Sequence, residues 1–169
     1  MPFDPHAYGP DVAAILSEAP PMPLVHGAPA SPEVRARVQQ ASVPESARAG
    51  LYLRAGFWDA AHEVAQAIEN ADGSYWHAIV HRQEPDAGNA SYWFRRVGAH
   101  PIFAELANRA AEIEPSLAGP WDPYRFIDYC ERAVGQPGSE LEPRAIAIQQ
   151  AEWELLFAHS MRRATPATP

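Results

Sequence analysis

The sequence predicts an all-α protein, and three observations lead to this prediction. Apolar residues recur three and four positions apart through most of the chain after residue 30, which is the spacing of one helix face. Capping residues followed by proline, as in Ser31-Pro32 and Asp122-Pro123, are typical of helix N-termini. No segment alternates polar and apolar residues over the length of a strand. We therefore expect a single-domain, irregular bundle of about six to eight helices.

Residues 1–30 are rich in proline, and we expect them to form an arm with one short helix at 11–18. Proline removes a backbone donor and fixes φ, which favours irregular backbone around that helix. The arm is moderately apolar, so we expect it to pack on the helical domain at 31–163 rather than to be a free linker. The last residues, 164–169, read ATPATP and are predicted to be a disordered tail.

The helices of the domain are predicted to begin at capping residues and to end at glycine or proline. The Asn-Ala-Asp-Gly sequence at 70–73 interrupts the apolar pattern, so we expect a turn there and a new helix capped by Ser74. Pro85 ends that helix, and Asn89 is expected to cap the next one. The predicted helices cover 32–40, 45–54, 57–70, 75–84, 90–97, 101–113, 123–134 and 143–163.

Composition excludes several classes of function. The net charge is −8, with 13 basic residues against 21 acidic ones, which argues against a general nucleic-acid surface. Without lysine, and without the glycine motifs that bind phosphates, neither a nucleotide nor a pyridoxal phosphate cofactor is expected. Cys130 lies on an apolar helix face, which favours a buried thiol over a nucleophile. The chain lacks a long apolar run and a secretory signal, so we expect a cytoplasmic protein without membrane partners.

The stretch 74–101 reads SYWHAIVHRQEPDAGNASYWFRRVGAHP and concentrates histidine, arginine and aromatic residues. Pockets need this mixture, because aromatic rings supply contact area while a few polar groups orient a ligand. Together with Ala61-His62-Glu63, the stretch resembles a family of soluble bacterial and fungal proteins of unassigned function that share a YWHAIVHRQEPDxGNAxYWFRRVGxHP-like run. The resemblance covers roughly the middle third of the chain and supports treating 57–101 as one unit. It implies no particular reaction.

Helical geometry indicates where a metal ion could bind. His77, His81 and Glu84 share one narrow stripe of a helix, and side chains four positions apart point at a common spot. His62 lies beside the apolar face of the preceding helix, with Glu63 further round. We therefore predict a divalent transition metal (zinc, manganese, iron or nickel) bound by the three histidines, with Glu63 or Glu84 as general base or fourth ligand.

Two other interpretations of these histidines stay open. They could lie at the core margin and bond to carboxylates such as Glu63 or Glu84, or they could contact an organic ligand directly. The spacing is not the HExxH motif of metalloproteases, so it does not decide between these cases. Glu152 and His159 share a stripe of the last predicted helix and could join the site from across the bundle.

Further residues could line a pocket beside the metal. Arg96 and Tyr92 could frame one side, where arginine would bind a carboxylate or phosphate, and Trp76 and His100 could complete the wall. Trp76 and Trp93 could instead be core residues, and we expect Trp93 to lie centrally. The arginines could instead form salt bridges with Glu63, Glu84 or Asp86.

The leading hypothesis is a small metal-dependent enzyme that acts on a small polar substrate. A non-enzymatic protein that binds a small anionic or sugar-like ligand is the first alternative. The second is a helical interaction module in which the proline-rich arm engages a partner.

Overall fold

The computed structural model describes residues 2–162, and nine α-helices lie in this range without any β-strand. The all-α prediction is therefore confirmed. The end of the predicted domain, residue 163, and the predicted tail at 164–169 lie outside the described residues. The helices are α1 (Pro10–Glu18), α2 (Pro32–Gln40), α3 (Glu45–Arg54), α4 (Trp58–Gln66), α5 (Ala71–Gln83), α6 (Ala87–Val97), α7 (Phe103–Ile113), α8 (Pro123–Val134) and α9 (Leu141–Arg162).

The capping residues explain where several helices begin. The Ser31 hydroxyl accepts a hydrogen bond from the Val34 amide at the start of α2. Asp122 accepts from the amides of Tyr124 and Arg125 at the start of α8. In both caps a side-chain oxygen accepts hydrogen bonds from amides that the first helical turn leaves without a partner. Both caps are at the residues that the sequence predicts.

Helix α5 begins four residues earlier than predicted, so the expected turn at 70–73 and the Ser74 cap are wrong. Asn70 caps the helix instead, since its side chain accepts from the Gly73 amide at 3.0 Å. Gly73 is needed for close packing rather than for a turn, because a Cβ there would lie 2.3 Å from the Ile68 carbonyl oxygen. Asp86, not Asn89, caps α6 in the same way.

Helix α5 lies at the centre of the bundle, and every residue from Asp72 to Gln83 is buried. It packs between α4 and α6 and also contacts α3. Its Trp76 ring is fully buried and lies 6.5 Å from the Trp153 ring of α9. The backbone of Gly50 in α3 packs directly against the Trp76 ring, and only glycine fits there, because a Cβ would come within 2.7 Å of the ring.

A buried ion pair joins α5 to α9. Arg82 donates to both carboxylate oxygens of Glu152, and neither side chain is more than 2 % exposed. Tyr75 donates its hydroxyl proton to Glu152 at 2.9 Å, and the side-chain Oε1 of Gln149 accepts from Arg82 at 3.3 Å. These bonds satisfy the Glu152 carboxylate and the two terminal nitrogens of Arg82, which would otherwise be costly to bury. Among the described residues, Nε of Arg82 is buried without a hydrogen-bond partner.

The proline-rich arm packs on the body of the bundle. Met22 and Leu24 are buried, and the side-chain amides of Gln83 and Gln149 both donate to the Pro23 carbonyl. Further along, the His26 amide donates to the Gln83 carbonyl at 3.0 Å. The arm thus crosses the C-terminal end of α5, which brings His26 close to α4.

Within residues 2–162, no helix combines the length and the apolar character that crossing a bilayer requires. Cys130 of α8 is buried as predicted, and burial raises the pKa of its thiol to about 12. Such a thiol stays protonated at neutral pH and is a poor nucleophile.

Candidate metal centre

Three histidines from two neighbouring helices converge beneath α6. His62 of α4 and His77 and His81 of α5 each offer a ring nitrogen, and these atoms lie within 4.8 Å of one another. The Nε2 atoms of His62 and His77 are 3.0 Å apart. The rings of His77 and His81 stack at 4.8 Å, while the His62 ring meets both edge-on. The predicted ligand set therefore does come together.

Glu84 fixes the orientation of one of these rings. Its Oε2 lies 2.8 Å from Nδ1 of His81, at the C-terminal end of α5. When neutral His81 donates from Nδ1 to this carboxylate, its Nε2 keeps a free lone pair. Ligating histidines in metalloproteins commonly have such a carboxylate partner, which fixes the tautomer and makes the ligand more basic.

Burial keeps two of the histidines neutral. Burial first, and then the neighbouring His62 and His81, lower the pKa of His77 to about 3. The pKa of His62 is also lowered, first by burial and then by His81. Neutral imidazoles are the form that binds metals, so these rings need lose no proton near pH 7. Among the described residues, the buried Nδ1 of His77 has no hydrogen-bond partner.

Two tryptophans cover the histidines from opposite helices. Trp93 of α6 stacks on His77 with ring centroids 3.9 Å apart. Trp58 of α4 stacks on His62 at 5.5 Å, and its indole nitrogen donates to the Val80 carbonyl at 2.8 Å. By stacking, the two indole rings hold the imidazoles of His77 and His62 in place and exclude water from the imidazole faces that they cover. Trp93 is half-buried rather than central in the core, contrary to our expectation.

Arg96 lies beside this cluster on α6. Its guanidinium is over the Trp93 ring, 5.3 Å from the centroid, in a cation–π contact. Tyr92 is 44 % exposed, and its ring meets that of Trp93 edge-on at 5.3 Å. Within residues 2–162, Arg96 forms no ion pair, so the alternative of salt bridges to Glu63, Glu84 or Asp86 is wrong for it.

Three other predicted site residues lie elsewhere. Glu63 is exposed and is outside the group of converging ligand atoms. Trp76 does not line a pocket but is a core residue, whose indole nitrogen donates to the Ser160 hydroxyl at 3.3 Å. His100 is buried in a separate cluster. Neither Glu152 nor His159 joins the three histidines, because Glu152 pairs with Arg82 and His159 lies in the cluster of His100.

That separate cluster consists of Asp72, His100 and His159. Nε2 of His100 lies 3.0 Å from Oδ1 of Asp72, and Nε2 of His159 lies 3.3 Å from the same oxygen. The Ile102 amide can only donate, so His100 accepts from it through Nδ1, at 3.4 Å. Neutral His100 then carries its proton on Nε2 and donates it to Asp72, leaving no lone pair for a metal. This cluster fits a hydrogen-bonded contact between α5, the start of α7 and α9.

A third possible ligand group, formed by His81, Glu84 and Asp86, is less suitable. Asp86 is occupied by the cap of α6, since its oxygens accept from the backbone and side-chain amides of Asn89. The three-histidine group is therefore the strongest candidate for a metal centre. Our interpretation of the histidines as carboxylate-bonded residues at the core margin describes His81 alone, because His77 faces His62 instead.

Sequence reasoning missed Trp58 and Asp72. Trp58 precedes His62 by four positions on one helix, so the rule that placed His77 beside His81 also predicts this contact. Asp72 was hidden by its place in the Asn-Ala-Asp-Gly sequence, which resembles a turn.

Comparison with known proteins yields no match: no family model, curated protein or solved structure is significantly similar to this chain.

Proposed function

We propose that this protein is a small metal-dependent enzyme whose divalent transition metal is bound by His62, His77 and His81. The observation that supports this most strongly is the convergence of three imidazole nitrogens within 4.8 Å, one of them oriented by a carboxylate. Borderline-soft nitrogen donors favour zinc, iron or nickel over magnesium or calcium. Three protein ligands leave a coordination position open, as in catalytic rather than structural zinc sites.

An ion in such a centre supplies Lewis acidity, which suits hydrolysis of a small polar substrate at neutral pH. Glu84 is a positioning residue in this proposal, because it acts through His81. Arg96 lies over the face of Trp93 and Tyr92 meets its edge, and both side chains are exposed, so they would orient a polar or anionic substrate. Glu63 has no role in it. We place the enzyme in the cytoplasm, where a single reduced cysteine is stable.

Metal analysis tests this proposal directly. Protein purified without a histidine tag should contain close to one equivalent of a transition metal by elemental analysis, or should take it up on titration. His62→Gln should abolish binding, because two imidazoles hold a metal far less tightly than three. Glu63→Gln is the matched control on the adjacent position, and should bind as the wild type does.

Glu84→Gln tests whether Glu84 orients His81 toward the metal or only stabilises the fold. It should weaken metal affinity about 10- to 100-fold while leaving the circular dichroism spectrum unchanged. Hydrolysis of small nitrophenyl esters should then follow metal occupancy across the variants. If neither zinc, manganese, iron nor nickel binds to the wild type at stoichiometric concentrations, the proposal is wrong.

A further inference from the structure

The proline-rich arm and the body of the bundle line a partly open cavity of about 200 Å³. The arm contributes prolines and His26 to one wall, and Leu53, Arg54 and Trp58 form much of the other. His26 stacks on Trp58 at 4.9 Å, so one tryptophan ring lies against both His26 and His62. The histidine centre and this cavity are therefore neighbours, separated by Trp58.

Arg54 supplies a positive charge to the wall of this cavity. Its guanidinium is partly buried and donates to the Pro20 carbonyl of the arm. Within residues 2–162, no carboxylate forms an ion pair with it. Burial lowers the pKa of Arg54, and attraction from Glu154 offsets this only in part. A positive charge held in this way is stabilised by an anion that displaces water from the cavity.

We propose that this cavity binds a small monocarboxylate, with the carboxylate on Arg54 and the apolar body against Leu53, the prolines and the edge of Trp58. A planar guanidinium matches a carboxylate through two parallel hydrogen bonds. One cation among largely apolar walls fits a single negative charge with a short hydrocarbon chain better than it fits a multiply charged phosphate.

This site is independent of the metal, so it is tested on metal-free protein by isothermal titration calorimetry. The probes are butyrate, the neutral isostere butyramide, and inorganic phosphate. Butyrate should bind at least about tenfold more tightly than butyramide, because only butyrate pairs with the guanidinium. Phosphate should bind more weakly than butyrate. Equal affinities for butyrate and butyramide, or tighter binding of phosphate, would overturn the proposal.

Two variants locate the site. Arg54→Gln should lower butyrate affinity about tenfold or more. Arg35→Gln is the matched control, since Arg35 lines an adjacent cavity of about 190 Å³ and lies over the Phe57 ring; it should bind as the wild type does. Unchanged affinity in a folded Arg54→Gln protein would contradict the proposal.

A third variant covers the case in which Arg54→Gln releases the arm and unfolds the protein. Ala28→Leu adds volume at a residue that lines the cavity and leaves Arg54 in place. It should abolish butyrate binding without changing the helical circular dichroism signal. Retained binding in this variant would show that butyrate binds outside the cavity.

Discussion

Acidification from pH 6.5 to pH 5 should destabilise the metal-free protein, mainly through His77. The pKa of this histidine falls from 6.5 to about 3 on folding, because its ring is buried between other rings. Below pH 6.5 the unfolded chain therefore binds a proton that the folded protein does not. The free energy of unfolding must decrease as the pH falls through this window and must be highest above pH 6.5.

The size of the effect follows from the shift. Each pH unit below 6.5 costs about 1.4 kcal/mol for one proton, so the free energy of unfolding should fall by about 2 kcal/mol at pH 5. The lowered pKa of His62 adds a change of the same sign. Glu114, whose pKa drops from 4.5 to about 2, affects stability only below about pH 5 and stays outside the window.

Urea denaturation at pH 7, 6, 5.5 and 5 measures how the free energy of unfolding depends on pH. The proteins compared are the wild type, His77→Gln and a control at an exposed histidine, His6→Gln. His77→Gln should be less pH-dependent by about 2 kcal/mol over the window, because glutamine does not titrate. His6→Gln should follow the wild type. If wild type and His77→Gln lose stability in parallel, His77 titrates normally in the folded protein and the account of its burial is wrong.

Three further predictions concern the core. Trp76→Ala should cost about 3–5 kcal/mol and Trp93→Ala clearly less, because Trp76 is fully buried and Trp93 is half-buried; thermal melts giving the reverse order would contradict this. Gly50→Ala should destabilise by about 1–3 kcal/mol, since its Cβ would meet the Trp76 ring at 2.7 Å, and an unchanged urea midpoint would refute it. Glu152→Ala should cost about 3–5 kcal/mol by leaving Arg82 unpaired, and adding Arg82→Met should restore part of that loss; a double variant less stable than Glu152→Ala would disprove the reasoning.

The sequence predicts the helices well because their signals are local. Caps such as Ser31 and Asp122 act within one turn, and periodic apolar residues mark a helix face without reference to the rest of the fold. The start of α5 also has a local cap, Asn70, but the glycine three residues later makes the segment resemble a turn. Only the packing of Gly73 against Ile68 explains why a glycine lies inside this helix.

In the candidate site too, some contacts follow from local spacing and others depend on tertiary packing. The pairing of His77 with His81, and of His81 with Glu84, follows from spacing on one helix. By contrast, Trp76 and Trp93 occupy similar sequence contexts, and only the tertiary environment makes one a core residue and the other a cover for His77. The cavity at Arg54 gives no local signal at all, since its walls come from separate segments of the chain.

The burial of α5 from Asp72 to Gln83 has a consequence for how the protein unfolds. A helix without a solvent-facing side cannot fray separately, so its backbone amides should exchange with deuterium only when the whole molecule unfolds. Residues 19–30 of the proline-rich arm lie outside the helices, so their amides should exchange much sooner. Two of the three proposed ligands lie on this slowest-exchanging helix, whereas His62 lies on the shorter and more exposed α4. Local fluctuations would therefore release a metal at His62 first, while His77 and His81 stay in place.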